Sequence, residues 1–332
     1  MDEILKRISQ KKARLDKYLP IPSALVKNLE QWFRVELTYT SNAIEGNTLS
    51  RQETAQVIEK GITVEGKTLN EHLEAINHVK AIEFIKTLLN KKRQAITQRD
   101  ILDIHRIILS RIDDSQAGRY RNVPVRIAGA LVILPNPLKI PTLMNGYEKW
   151  FQTDNPDHPV KIAADAHYRL VTIHPFSDGN GRTARLVMNL LLIQDGYPPA
   201  IIRKEDRKEY INSLESAQLG GSIDDYYKII YTAVERSLNI YLEALENKEI
   251  KKSIYSEKLL KIGELAKETD TSVHTIRYWT KEGLLTVSDY SKGGYQLYKL
   301  SMLEKVRKIR KLQNEKRLTI KEIRNYFVFN QS

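Results

Sequence analysis

The 332-residue chain contains no cysteine. That excludes disulfides, thiolate metal sites and Cys nucleophiles, and gives no sign of an oxidising compartment. Long apolar runs are missing as well: nothing approaches the roughly 18 residues a membrane span needs. Met1 to Tyr18 is charged and helical in pattern rather than basic and then apolar, so it does not read as a signal peptide. The expectation is a cytoplasmic protein without a membrane partner. Alternating apolar and polar runs, the mark of half-buried strands, are also few.

What is present is enough to fold. Apolar residues make up 41% of the chain, and its length exceeds one comfortable core, so two domains are expected. The net charge of +12 is uneven: residues 249–332 hold 18 Lys/Arg against 10 Asp/Glu, or +8. A tail so charged suggests an acidic partner, nucleic acid first, with an ordinary basic surface as the alternative.

Up to about residue 248 the apolar spacing is helical. Ser50 to Glu53 reads as a capping box opening a helix that Gly61 closes, and Thr97 caps a helix carrying Ile101, Leu102, Ile104, Ile107 and Ile108. The exception is the segment from Asn122 to Pro135, where β-branched residues flank an Ala-Gly turn and prolines bracket both ends; it predicts a short hairpin or flap. The expected fold is mainly α, with this flap and a small C-terminal module. Its divisions are an N-terminal helical region (1–95), a helical core (96–245), a linker (246–257) that loses the apolar rhythm, and a basic module (258–328).

The densest chemistry is in twelve residues, His174-Pro-Phe-Ser-Asp-Gly-Asn-Gly-Arg-Thr-Ala-Arg185. A helix from His158 to Ile173 is ended by the His-Pro pair, and another opens near Gly179, so the segment is a helix–loop–helix corner. Its backbone donors point out of a helix N-terminus, where anions bind. His174 can take a proton near neutral pH, Asp178 can hold a divalent cation, and Arg182 and Arg185 can grip phosphate oxygens. Gly179 to Ala184 also fits a dinucleotide fingerprint, but that motif needs a preceding strand, and here a helix precedes it. The other histidines, including His105 and His167, have no such neighbours in sequence and receive no role.

The twelve residues resemble, position for position, the H-P-F-x-D/E-G-N-G-R-x-x-R signature of the Fic (Fido) family of protein adenylyltransferases. The likeness extends over roughly residues 38–245, including Gly118-Arg119-Tyr120-Arg121 and Gly196-Tyr197-Pro198-Pro199. It implies an all-helical core and transfer of AMP from ATP to a Ser, Thr or Tyr hydroxyl of a target protein. By that resemblance His174 is the base, Asp178 holds Mg²⁺, the amides of Gly179, Asn180 and Gly181 cradle phosphates, and Arg182, Thr183, Ala184 and Arg185 complete the nucleotide site. Ile127, Ala128, Gly129 and Ala130 fall at the flap beside nucleotide and target. Tyr210 matches an adenine-pocket tyrosine, and Gln218 stands where relatives have Asn. Gly181 is glycine, not the lysine of relatives that act as kinases.

Ser41-Asn-Ala-Ile-Glu45-Gly46 ends another expected helix, about 31–46, and puts a carboxylate in its last turn, where the helix dipole disfavours it. It resembles the family's inhibitory S/T-x-x-x-E-G/N motif, which implies that Ser41, Glu45 and Gly46 form a brake in which Glu45 pairs with Arg185. The resemblance further implies that Glu45 positions water for removing AMP from a modified target.

Residues 258–328 are similar to a MerR-type winged helix-turn-helix: Thr271 to Trp279 as the second helix, a turn at Gly293-Gly294-Tyr295, and a basic helix around Lys305 to Lys311. By that likeness Arg277, Lys292 and Tyr295 meet DNA. Thr280 and Gln296 depart from the family's Glu and Arg, and a protein-docking module stays open. The competing reading of the whole chain is a DNA-binding transcriptional regulator whose Fic domain senses nucleotide; a homodimer is left open.

Overall fold

The structure, a computed structural model, describes residues 1–246, 259–291, 294–299, 301–316 and 318–329. Two compact units divide at Asn247 and Lys248. The helices before residue 95 belong to the same unit as those after it, and the expected linker lies outside the described residues from 247 onward.

In the first unit ten α-helices follow one another: α1 (Asp2–Asp16), α2 (Ser23–Ile44), α3 (Arg51–Lys60), α4 (Leu69–Thr87), α5 (Gln98–Leu109), α6 (Ile140–Gln152), α7 (Pro159–Ile173), α8 (Asn180–Gln194), α9 (Arg207–Gln218) and α10 (Asp224–Leu245). At the centre is α8, buried almost all round from Arg182 to Leu192, as expected of a helix enclosed by others. It packs against α7, with α2, α4 and α5 over its other faces, while α1 lies along α10. Three of the helix starts are closed by reciprocal capping boxes, Ser50–Glu53, Thr68–Glu71 and Thr97–Asp100, so local sequence sets where α3, α4 and α5 begin. Gly61 ends α3 in the left-handed region, as its sequence predicts.

Two expectations are corrected. The inhibitory helix begins at Ser23, not near residue 31, and its cap is Glu45 itself, with Gly46 following at φ 104°. The flap forms a turn, Ala130 N–H to Ile127 O at 3.1 Å, but no strand ladder. Its ends are drawn together by one guanidinium instead: Arg121 donates to Val123 O at 3.2 Å and to Pro135 O at 2.7 Å. The Leu131 N–H, which a ladder would use, donates to Glu215 at 2.6 Å.

The second unit has a three-stranded antiparallel sheet, β1 (Leu260–Lys261), β2 (Asp289–Tyr290) and β3 (Gln296–Tyr298), with β3 in the middle. Around it are α11 (Ile262–Glu268), α12 (Val273–Lys281), α13 (Ser301–Lys316) and α14 (Ile320–Phe329). Leu265, Ile276, Trp279, Leu285, Tyr298 and Val306 share one core. Among the described residues no helix is long and apolar enough to cross a membrane.

Candidate functional site

The corner between α7 and α8 forms the floor of a cavity of about 280 Å³. His174 ends α7 in the left-handed region (φ 50°), which turns its side chain away from the helix. Its Nδ1 lies 3.3 Å from Val171 O. A carbonyl only accepts, so Nδ1 carries the proton and the Nε2 lone pair is free to act as a base. Burial lowers the His174 pKa below its ordinary value, which keeps the ring neutral.

The loop from Pro175 to Gly179 is held by groups beneath it. Asn180 bonds Phe176 N–H and Phe176 O, both at 2.9 Å, so this asparagine closes the turn rather than waiting for a ligand. His105 of α5 stacks on Phe176 with ring centroids 3.7 Å apart. It accepts from Gly118 N–H at 3.0 Å and donates to Asp178 O at 3.0 Å, and burial drives its pKa down to about 4. Arg121 donates to His174 O at 2.8 Å. Loop and flap thus share one buried cation.

The motif's two arginines have different surroundings. Arg182 is 2% exposed and does not line the cavity; it bonds Glu74 of α4 and Asp178, each at 2.9 Å. Of the two arginines in the motif, only Arg185 lines the cavity in this structure. Arg185 does line the cavity, and α2 claims it: Nε donates to Ser41 Oγ at 3.0 Å, and one amino group reaches Ser41 O at 2.9 Å and Glu45 Oε1 at 2.7 Å. Ser41 and Glu45 are four residues apart and so stand on one helix face, where a single guanidinium meets both. Gly181 leaves the room this needs, because a Cβ there would collide with the Glu45 carboxylate.

Around the cavity are also Asp178, Gly179, Asn180, Gly181, Ile127, Ala130, Tyr210 and Gln218. Thr183 and Ala184 are fully buried in α8, and Ala128, Gly129 and Gly46 lie outside the lining. The Gly179 N–H donates to the Asp178 carboxylate at 2.6 Å. Gln218 donates to Thr172 Oγ1 at 3.1 Å. Among the described residues no three His, Asp or Glu side chains converge as a metal site. The Asp178 carboxylate is largely exposed, which suits one protein oxygen on a cation whose other ligands come from phosphates and water.

In the second unit, Ser272 caps α12 through Thr275 N–H at 3.0 Å. His274, Arg277, Tyr278 and Lys281 form its exposed stripe. Tyr295 is 59% exposed at the wing, and Lys292 lies outside the described residues. Thr280 and Gln296 meet through one hydroxyl: Tyr298 Oη is 2.8 Å from each. The two departures noted in sequence are therefore one neutral contact between α12 and the wing.

The Fic/DOC family model matches residues 95–192, and that of the MerR HTH family regulatory proteins matches residues 260–328. Fic-1 (residues 134–508) from C. elegans superposes with a TM-score of 0.68 at 32% identity, covering 75% of this chain and 73% of that one. The chain belongs to the Fic/DOC family. A Fic domain containing signaling protein from Bacteroides thetaiotaomicron superposes with a TM-score of 0.65 at 29% identity, over 75% of this chain and 98% of that one. The Protein adenylyltransferase Fic of Aedes aegypti is 40% identical over 240 residues, 72% of this chain and 47% of that protein. The chain spans about half the length of the first curated relatives it matches.

Sequence reading missed four groups beneath the Fic motif: Glu74, His105, Arg121 and His167. Their individual signals are weak, since each is one polar residue on an otherwise amphipathic helix or loop. His105 and His167 sit on faces that are otherwise apolar, and that was the available hint.

Proposed function

We propose that this chain is an autoinhibited protein adenylyltransferase that transfers AMP from ATP to a hydroxyl of a target protein. The observation that carries the reading is the free Nε2 of His174 above a helix N-terminus whose phosphate-facing arginine is already held by Glu45. The acceptor oxygen attacks the α-phosphorus while its proton passes to His174 Nε2. The bond from the α-phosphorus to its bridging oxygen breaks, and pyrophosphate leaves. General base catalysis of this kind contributes about 10²–10⁴-fold. First-turn amides of α8, which no helical carbonyl can reach, bind the phosphate oxygens. Asp178 would hold Mg²⁺, whose charge would neutralise the polyphosphate.

Arg185 binds the terminal phosphate only when Glu45 lets it go, so the resting protein is braked. The flap presents the exposed side chains of Leu131 and Ile133, beside which a target segment would add as a strand. Removal of AMP by a water that Glu45 orients is a second use of the same carboxylate. The C-terminal unit binds DNA through α12 and the wing. A regulator that only senses ATP has no need of an aligned base. Labelled ATP with purified protein and cell lysate tests this: His174→Ala should abolish target labelling, and retained labelling would sink the base assignment.

A further inference from the structure

The last four carbonyls of a helix have no helical N–H to accept from, so the end of α2 needs donors from elsewhere. Asn42 O accepts from Glu45 N–H at 3.0 Å and from Asn47 N–H at 3.1 Å, and Ala43 O accepts from Gly46 N–H at 3.2 Å. Of the four, Ser41 O and Ile44 O remain, and an arginine takes each. Ser41 O accepts from Arg185 at 2.9 Å, and Ile44 O accepts from Arg207 Nε at 2.6 Å. No backbone N–H among the described residues reaches Ile44 O. A cation at this place also meets the negative end of the helix dipole.

Arg207 is the first residue of α9, and that helix start is fixed from behind. Asp206, just before it, accepts from Arg203 at 2.6 and 2.8 Å and from Arg236 of α10 at 3.2 Å. Arg207 therefore reaches α2 from an anchored point. It does not line the cavity, although Tyr210, one turn further along α9, does. Its route to the site runs through Glu45, the residue next to its acceptor.

We propose that Arg207 is a positioning residue of the brake, which holds the Ile44 carbonyl so that Glu45 stays seated on Arg185. The end of α2 is gripped from two sides, by Arg185 of α8 and Arg207 of α9, and a phosphate that draws Arg185 away from Glu45 works against both. This rests on the reading of Glu45 as an inhibitory residue.

Initial rates of labelled AMP incorporation at subsaturating ATP test it in wild type, Arg207→Met, Arg207→Lys, Glu45→Gly and the Glu45→Gly/Arg207→Met double variant. Arg207 is exposed, so neither substitution empties the core, and Met keeps the apolar stem while losing the donor. Arg207→Met should raise labelling about three- to tenfold, less than a buried charged hydrogen bond would give because solvent screens the contact. Arg207→Lys, which keeps charge and donor, should stay near wild type. In the Glu45→Gly background Arg207→Met should change nothing, because the carboxylate it positions is gone. A wild-type rate in Arg207→Met beside an activated Glu45→Gly overturns the proposal. So does an equal rise in both backgrounds, which would place Arg207 on the transfer step, or a Lys variant as active as the Met variant. Failure of Glu45→Gly to activate overturns the brake itself, and the role of Arg207 with it.

Discussion

Glu45 Oε1 lies 2.7 Å from the Arg185 guanidinium, and both residues line the cavity at the corner between α7 and α8. The pair joins the C-terminal end of α2 to the first turns of α8. Burial opposes the Arg185 charge, and Glu45 is the largest influence that restores it. Removing Glu45 therefore leaves a cation seeking an anion.

Ser41 supplies the second half of the clasp. Its hydroxyl accepts from Arg185 Nε, while its carbonyl contact survives truncation. Ser41→Ala should raise transfer activity about two- to tenfold, less than Glu45→Gly, because a single uncharged acceptor contributes about 0.5–1.5 kcal/mol. Initial rates of AMP incorporation at subsaturating ATP measure this.

Glu74 is expected to matter for stability first. It balances the buried Arg182 charge, and its other carboxylate oxygen accepts from Asn47 at 2.8 Å. Glu74→Ala leaves that charge with Asp178 alone. Stranding a fully buried ion costs about 3–5 kcal/mol, and the partial exposure of Glu74 reduces this to about 2–3 kcal/mol. Thermal unfolding should begin about 4–10 °C lower than in wild type.

The pH profile follows from the sign of the His174 shift. Its folded pKa lies below 6.5, so the base form is present through neutrality and is lost only as pH falls beyond the ordinary imidazole range. Transfer by Glu45→Gly should stay level from pH 8 to about 6.5 and decline below that. A decline that begins above pH 7 would contradict the neutral ring.

Arg277 is exposed on α12, and its charge should be felt by phosphates or not at all. A mobility shift with duplex DNA should weaken steeply as salt rises, and Arg277→Ala should reduce the slope of log K against log salt by about one. No shift at low salt would assign the unit to protein docking.

Much of the site was legible because its parts are local. The His-Pro break, the glycine turn and the helix start lie within twelve residues, and the Ser41–Glu45 spacing is one helical turn. The capping box at Ser50 and the cap at Thr97 are likewise local, and both formed. What lay beyond reach depends on partners distant in sequence. The Arg182 contact with Glu74 joins residues 108 apart in sequence. The flap read as a hairpin because its composition is β-like, yet Arg121 and Glu215 take the backbone groups a ladder would use. His167 had no neighbours in sequence to mark it, and its two tyrosines arrive from α9 and α10.

The most direct measurement is incorporation of labelled AMP from ATP by wild type, Glu45→Gly and the Glu45→Gly/His174→Ala double variant. Breaking a charged contact of about 1.5–3 kcal/mol should raise labelling by Glu45→Gly about ten- to a hundredfold over wild type, and the double variant should show none. Equal labelling by wild type and Glu45→Gly would contradict a brake at Arg185.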